Sequence, residues 1–101
     1  MTAPRPCYLV VTATVTDRAR MGAYTRALAD SGLYAAHGGH YVLVGRPVAE
    51  LENWDGRAVV VARFPDRAAA EAFWNSAAYQ QQVKPLREGA GDFHVALFEG
   101  A

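Results

Sequence analysis

Three polar side chains in this chain of 101 residues have the chemistry to move protons and to hold an oxyanion. His40 carries an imidazole, a group that can act as a general acid or base on a carbonyl or phenol. The guanidinium of Arg63 can stabilise a developing enolate or hold a carboxylate. The phenol of Tyr79 can orient or protonate a substrate oxygen. We therefore predict His40, Arg63 and Tyr79 as the catalytic residues.

Further side chains are expected to bind the substrate. Tyr24 and Phe73 would form walls between helices and sheet, and Trp54 would act as a lid or as part of the core. Purely structural interpretations stay open: His40 can satisfy a backbone group beside two glycines, Tyr79 can pack at a subunit contact, and Ser76 can hydrogen bond locally. The predicted substrate-binding set is Thr12, Tyr24, Trp54, Phe73, Ser76 and His94.

The sequence predicts neither a metal nor a cofactor. Its three histidines form no i, i+4 pair and have no cysteine partner of the kind that metal sites use. The single Cys7 has no histidine near it in sequence, which argues against a nucleophilic role. No nucleotide, flavin or P-loop signature is present. Any catalysis is therefore expected to be cofactor-independent.

The order of the predicted elements is β-α-β-β-α-β. Runs of β-branched and aromatic residues predict strands over 8–14, 40–45, 57–64 and 92–99. Asp17 caps a helix that Gly32 ends, and Asp66 caps a helix over 66–83 that Lys84 and Pro85 stop. This order predicts an α+β, ferredoxin-like domain over residues 1–101, with a four-stranded antiparallel sheet and both helices on one face.

Alternation along each strand sorts the polar side chains into one set per strand. In strand 40–45 it places His40, Val42 and Val44 on one side, and Tyr41 and Leu43 on the other. The polar-bearing sets of the four strands contain Tyr8, Thr12, His40, Arg63 and His94. If these sets share one face of the sheet, that face has an apolar floor with a few donors, which is typical of a small-molecule pocket.

The composition excludes several classes of partner. Ten basic residues balance ten acidic ones, and no run of like charges appears, so nucleic-acid binding is not expected. No apolar stretch is long enough to span a membrane, and a lone cysteine forms no internal disulfide, so we expect a soluble, cytoplasmic protein. Because 51% of the chain is hydrophobic, the sheet face without helices is expected to pack against a second copy as a homodimer.

Four segments carry a resemblance to a known family. They are residues 37–43 (HGGHYVL), residues 54–56 (WDG), residues 64–65 (FP) and the block 68–80, which ends FWNSAAYQ. Together they resemble the bacterial family of domain of unknown function 1330 over nearly the whole chain. The resemblance implies a dimeric α/β barrel, an architecture also used by cofactor-independent monooxygenases, polyketide cyclases and muconolactone-type isomerases.

Two residues depart from the pattern of that family. Its members usually have arginine where this chain has His40, and glutamate where it has Arg63, which indicates a site adapted to another task or to an anionic ligand. We expect a small cofactor-independent enzyme of secondary metabolism that acts on a carbonyl, phenolic or polyketide-like metabolite by acid-base chemistry. Cyclase, isomerase, lyase and monooxygenase reactions stay open. The alternatives are a non-catalytic ligand-binding or stress-type homodimer, in which His40 and Arg63 hold an anion, and a purely structural interaction module.

Overall fold

The computed structural model of the chain describes residues 5–101; residues 1–4 of the predicted domain lie outside the described part. In chain order the strands and helices are β1 (Cys7–Val15), α1 (Arg18–Ser31), α2 (Leu33–Ala36), β2 (His40–Gly45), β3 (Ala58–Phe64), α3 (Arg67–Asn75), a π-helical segment (Ala78–Val83), a 3-10 turn (Lys84–Arg87) and β4 (Gly91–Glu99).

The four strands form one antiparallel sheet in the order β2-β3-β1-β4. Sequential strands β2 and β3 form a hairpin, while β1 lies between β3 and β4, so each helical connection crosses over one strand. The helices pack on a single face of this sheet. The predicted α+β, ferredoxin-like fold is confirmed.

Capping side chains fix where the helices begin. The carboxylate of Asp17 accepts a hydrogen bond from the backbone N–H of Arg20, and that of Asp66 accepts one from Ala69 at 2.8 Å. Gly32 takes the left-handed conformation with φ of 66° and ends α1. These three predicted boundaries are confirmed.

The second predicted helix is not continuous. α3 ends at Asn75, because Ser76 adopts an extended conformation with ψ of 142°. The Ser76 hydroxyl donates to the carbonyl of Phe73 at 2.8 Å and accepts from the backbone N–H of Tyr79. A serine side chain that bonds to neighbouring backbone groups competes with the helical hydrogen bonds. The chain therefore restarts as a π-helical segment, and the prediction of one helix over 66–83 is wrong.

A β-bulge in β2 changes the facing of its second half. Tyr41 lies opposite Ala62, whereas Leu43 lies opposite Val61, so Val42 is an extra residue in the ladder. The prediction that His40, Val42 and Val44 share one side is therefore wrong beyond the bulge. Leu43 falls on the same face as His40, and Val44 falls on the face covered by the helices.

An aromatic cluster fills the space between helices and sheet. Phe73 on α3 is fully buried, and its ring centroid lies 5.4 Å from that of Phe64 on β3. The same ring is 4.8 Å from both Tyr34 and Tyr79. Such offset aromatic contacts add to the large apolar area that these side chains bury. The cluster therefore joins α2, α3 and the π-helical segment to the sheet.

The opposite face of the sheet has no helix over it, and we refer to it as the open face. The register shows that the polar residues of the four predicted sets share this face, with Tyr8 opposite Arg63, Arg63 opposite His40 and Thr12 opposite His94. The side chains on the open face include Tyr8, Val10, Thr12, His40, Leu43, Val59, Val61, Arg63, His94, Ala96 and Phe98. Within residues 5–101, no helix is long and apolar enough to cross a bilayer.

Gly39 allows close packing of the β2 entrance against the aromatic cluster. A Cβ atom at this position would lie 2.5 Å from Cε1 of Phe64, whose ring is completely buried. We expect Gly39→Ala to lower the free energy of unfolding by about 1–3 kcal/mol, because a fully buried ring must shift. Urea unfolding followed by circular dichroism measures this change.

Gly22 provides the matched control. It lies inside α1, and a Cβ atom there would meet nothing within 4 Å. We expect Gly22→Ala to raise the free energy of unfolding by about 0.5–1 kcal/mol through helix propensity. Equal effects of the two substitutions would contradict the proposed packing of Gly39 on Phe64.

Candidate functional site

A cavity of about 370 Å³ lies between α1 and the helix-covered face of the sheet, and we refer to it as the helix-side cavity. Its apolar wall includes Leu9, Val11, Met21, Leu28, Val60 and Phe93. Four tyrosines, Thr25 and Arg87 supply its polar groups. A mostly apolar concavity with a few convergent polar side chains is the usual form of a small-molecule site.

Two tyrosine hydroxyls meet at the wall of the helix-side cavity. The Oη atoms of Tyr24 and Tyr79 are 2.8 Å apart, and their rings pack edge to face. Each phenol has one proton to donate, so one hydroxyl donates to the other and the pair keeps one O–H free. We refer to this arrangement as the hydroxyl pair. It can present a donor to an oxygen atom of a bound molecule.

Burial keeps three of the cavity tyrosines, Tyr24, Tyr34 and Tyr41, in their neutral form. Desolvation raises the pKa of Tyr24 well above its usual range, and the neighbouring Tyr79 raises it further. Desolvation also raises the pKa of Tyr34 strongly, with a smaller contribution from Tyr41, whose own pKa is raised mainly by burial. At neutral pH these phenols are hydrogen-bond donors and weak acids. They do not act as bases.

Arg87 forms one edge of the helix-side cavity. Its guanidinium carbon lies 4.5 Å from the ring centroid of Phe93 and 5.6 Å from that of Tyr24. Guanidinium groups at such distances from aromatic faces gain cation-π attraction. The 3-10 turn that carries Arg87 is therefore held against both α1 and β4 by these two rings.

The predicted catalytic trio does not gather in one site of the protomer. His40 and Arg63 are register partners on the open face, beside Tyr8. Tyr79 is 2% exposed and packs on the other side of the sheet, with its hydroxyl at the helix-side cavity. Strand alternation causes the separation, since Ala62 and Phe64 on either side of Arg63 enter the core. The prediction that these three residues act together between the helices and the sheet is therefore corrected: in the protomer they lie on opposite faces of the sheet.

Thr12 and His94 lie at the far end of the open face. They are register partners, and Nε2 of His94 is 3.2 Å from a carboxylate oxygen of Asp92. Thr12 lies four positions along β1 from Tyr8, which is opposite Arg63. At a rise of about 3.3 Å per residue this corresponds to roughly 13 Å. His94 and Thr12 therefore share a face with His40 and Arg63 without joining them in one cluster.

The remaining predicted substrate-binding residues have different surroundings. Tyr24 lines the helix-side cavity, and Phe73 lies behind it in the aromatic cluster. Ser76 makes the local backbone contacts that interrupt the helix. Trp54 lies in the loop between β2 and β3, where its indole N–H donates to the carbonyl of Arg57 at 3.1 Å. Trp54 lines a separate concavity of about 440 Å³ with Leu43 and Leu51.

Among the polar residues of the cavity, four were not predicted as site residues: Thr25, Tyr34, Tyr41 and Arg87. Tyr34 and Tyr41 stand on either side of the turn that contains Gly38 and Gly39, and their ring centroids are 4.9 Å apart. Strand alternation puts Tyr41 on the side of β2 opposite His40. If that side is assigned to the helix-covered face, Tyr41 can be identified as a cavity residue from the sequence. Arg87 follows Pro85 in the segment between the predicted helix over 66–83 and the predicted strand over 92–99, and no periodicity signals its position. Within residues 5–101, no three potential ligands among His, Cys, Asp and Glu gather to hold a metal ion.

Comparison with known proteins gives a family and a fold. The model of the family described as "Domain of unknown function (DUF1330)" matches residues 6–101. No curated protein sequence gives a significant match to this chain.

Solved structures with the same fold cover nearly the whole chain. A protein of unknown function from Rhodopseudomonas palustris is 17% identical, with 96% of this chain and 83% of that chain covered and a TM-score of 0.69. SnoaB, described as a cofactor-independent oxygenase from Streptomyces nogalater, is 15% identical, with 96% and 94% covered and a TM-score of 0.65. A dimeric ferredoxin-like protein of unknown function from Thermobifida fusca is 10% identical, with 99% and 95% covered and a TM-score of 0.69. At these identities the likeness establishes the fold.

The raised pKa of Tyr24 predicts how the protein titrates in alkali. We expect Tyr24→Phe to leave the tyrosinate absorbance at 295 nm unchanged up to the pH of unfolding, because the buried phenol does not ionise in the folded protein. Its contribution to stability is fully present below about pH 10, the unfolded value, and is lost as pH rises above it. The free energy of unfolding should therefore fall more steeply above about pH 10 in the wild type than in Tyr24→Phe. Loss of one tyrosinate from the folded titration of the variant would contradict this assignment.

Proposed function

The chain belongs to the family of domain of unknown function 1330, whose description names no activity, and we propose from the helix-side cavity that it is a small cofactor-independent enzyme. Its substrate would be an apolar metabolite that carries a carbonyl or phenolic oxygen. The observation that carries this proposal is the hydroxyl pair, with 2.8 Å between the Oη atoms of Tyr24 and Tyr79 at the wall of an apolar cavity.

The hydroxyl pair suits reactions in which negative charge develops on a substrate oxygen. The free O–H of the pair would donate to the carbonyl or phenol oxygen of the substrate. When the substrate loses a proton to solvent, its oxygen gains charge and the hydrogen bond becomes stronger. The apolar wall lowers the local dielectric, which strengthens the interaction further. An enolate or phenolate formed in this way is the common intermediate of isomerisation, cyclisation and cofactor-free oxygenation.

The same fold in a described cofactor-independent oxygenase supports this class of chemistry. SnoaB covers nearly all of this chain in structure, so an enzyme without a cofactor is compatible with a sheet and helices of this arrangement. Fold likeness alone does not select a reaction. The reaction class proposed here rests on the neutral phenols, which supply a proton or a hydrogen bond.

A non-catalytic ligand-binding protein is the second candidate, and the cavity lining favours it in one respect. Among the described residues that line the helix-side cavity, none is histidine, aspartate or glutamate, so the wall contains no side chain that is a base at neutral pH. The hydroxyl pair would then orient a ligand without promoting a reaction. Binding without turnover distinguishes this candidate from the enzyme.

The two candidates separate in a proton-exchange experiment. 2-Tetralone is a compact apolar ketone whose α protons exchange with deuterium through the enolate. We expect the wild type to bind 2-tetralone and to accelerate this exchange in D₂O, followed by proton NMR. Tyr79→Phe and Tyr24→Phe should each reduce the acceleration by about 10²-fold, since each removes a hydroxyl of the donor pair.

Tyr8→Phe is the matched control, because Tyr8 lies on the open face and makes no contact with the hydroxyl pair. It should keep the exchange rate of the wild type. Circular dichroism of each variant checks that the fold is retained. Bound 2-tetralone with no accelerated exchange would support the ligand-binding protein, and equal losses in all three variants would count against the hydroxyl pair.

We also propose that a second copy of the chain covers the open face. Val10, Val61 and Ala96 form an apolar row across the middle of this face, and Phe98 near one corner is 57% exposed. A sheet face of this composition is normally buried against another sheet. The Thermobifida fusca protein of the same fold is described as dimeric, which supports a dimer of this chain. His40, Arg63 and His94 would then lie at the interface between copies.

A charge in the middle of the open face tests this interface. We expect Val61→Glu to convert a dimer into a monomer, because the carboxylate would be desolvated between two sheets without a partner. Light scattering after size-exclusion chromatography measures the molar mass. Ala29→Glu, on the exposed side of α1, is the control and should keep the dimer mass. A wild-type mass equal to that of one chain would refute the interface.

A further inference from the structure

The helix-side cavity contains one charged side chain among the described residues that line it, namely Arg87. The rest of the lining is aliphatic, aromatic or hydroxyl-bearing, as in Val60, Phe93 and Thr25. A guanidinium keeps its charge at all physiological pH values and carries five N–H donors in a planar fork. A group of this kind at an apolar wall determines which ligands the cavity accepts.

Arg87 has no protein anion to neutralise it within residues 5–101. The ion pairs of this part of the chain are Arg20 with Asp17, Arg57 with Asp55, Arg67 with Glu71, and His94 with Asp92. The neighbouring Glu88 contributes its backbone carbonyl to Arg20, at 3.1 Å. No hydrogen bond from the Arg87 side chain to another described residue is present. Its donors therefore stay available to a ligand.

The surroundings of Arg87 hold its guanidinium at the cavity. The side chain is partly buried, and the guanidinium carbon lies 4.5 Å from the centroid of the Phe93 ring and 5.6 Å from that of Tyr24. Contact with two rings from different elements restricts the motion of a long side chain. A pre-positioned guanidinium loses less entropy when it binds a planar anion.

We propose that the ligand of the helix-side cavity is an aromatic or otherwise flat apolar molecule that carries a carboxylate or a similar oxyanion, which Arg87 binds. This inference rests on the proposed function of the cavity and specifies its substrate class. Arg87 packs against the ring of Tyr24, whose hydroxyl belongs to the hydroxyl pair. The anionic group and the oxygen bound by the pair therefore belong to one compact molecule.

The sequence left open that His40 and Arg63 hold an anionic ligand, whereas our proposal assigns anion binding to Arg87. Arg63 lies on the open face with His40 and does not line the helix-side cavity. Arg87 does line it, close to the hydroxyl pair. An anionic ligand is thus compatible with the cavity without any contribution from His40 or Arg63.

Two fluorescent probes test the proposal. 1-Anilinonaphthalene-8-sulfonate and N-phenyl-1-naphthylamine share one aromatic skeleton, and only the first carries an anionic group. We expect the wild type to bind the sulfonate more tightly than the neutral amine. Arg87→Met should weaken binding of the sulfonate by about tenfold or more and should change binding of the amine by less than about twofold, because only the charged contact is lost. Arg87→Lys should lie between wild type and Arg87→Met, since it keeps the charge without the planar fork.

Matched controls make each outcome decisive. Arg26→Met removes an equal charge from the exposed surface of α1 and should leave both affinities unchanged. If Arg87→Met weakens both probes equally, or neither, Arg87 is only part of the wall and the proposal is overturned.

A variant that blocks the cavity distinguishes two outcomes: that Arg87 does not bind the anionic group, and that the cavity does not bind a ligand at all. Thr25 lies on α1 at the exposed edge of the cavity, so Thr25→Trp should obstruct entry with little strain on the core. It should weaken both probes if they bind in the cavity. Unchanged binding of both probes in Thr25→Trp would overturn the cavity itself as a binding site. Selective loss of the sulfonate in Arg87→Met, together with loss of both probes in Thr25→Trp, would support both proposals.

Discussion

The packing of Phe73 against Phe64, Tyr34 and Tyr79 is the interaction on which the rest of the structure depends. These rings join the helical segments to only one face of the sheet. Each strand side chain therefore points either to the helix-covered face or to the open face. The covered side encloses the helix-side cavity, and the bare side is left with an apolar floor. One cluster of rings thus separates the helix-side cavity from the apolar open face.

Tyr79 links this core to the chemistry of the cavity. Its ring is part of the aromatic cluster, while its hydroxyl contacts that of Tyr24. The break at Ser76 places Tyr79 in a π-helical segment instead of a continuing α-helix, and such segments often occur at functional positions. A rigid ring that carries a donor at a fixed position needs no reorganisation when charge develops on a ligand, which is the physical basis of oxyanion stabilisation.

Local sequence signals predicted the strands and the helix boundaries. The features that they did not predict depend on interactions between segments that are distant in the sequence. The strand patterns, the caps at Asp17 and Asp66, and the αL glycine at Gly32 depend on neighbouring residues, so the sequence shows them directly. The bulge at Val42 depends on pairing with β3, and it reversed the expected side of Leu43 and Val44. Likewise, His40 and Arg63 have suitable chemistry, but only the position of the helices shows that they face away from Tyr79. Arg87 lies in a short 3-10 turn that has no sequence periodicity, and its contacts with Tyr24 and Phe93 hold it beside the cavity.

The cavity and the open face both limit how much apolar surface this small chain can bury by itself. A domain of 101 residues buries a limited fraction of its surface, so an apolar cavity of about 370 Å³ reduces the packing available to its core. A ligand that fills the cavity restores those contacts and binds only the folded chain, so it raises stability through linkage. Burial of the open face against a second copy adds apolar area in the same way. The net charge of the chain is zero, but the charges are not all paired. Arg87 at the cavity is a cation without a protein partner within the described residues. A ligand that supplies both an apolar body and an anion would satisfy the packing of the cavity and the charge of Arg87 at once.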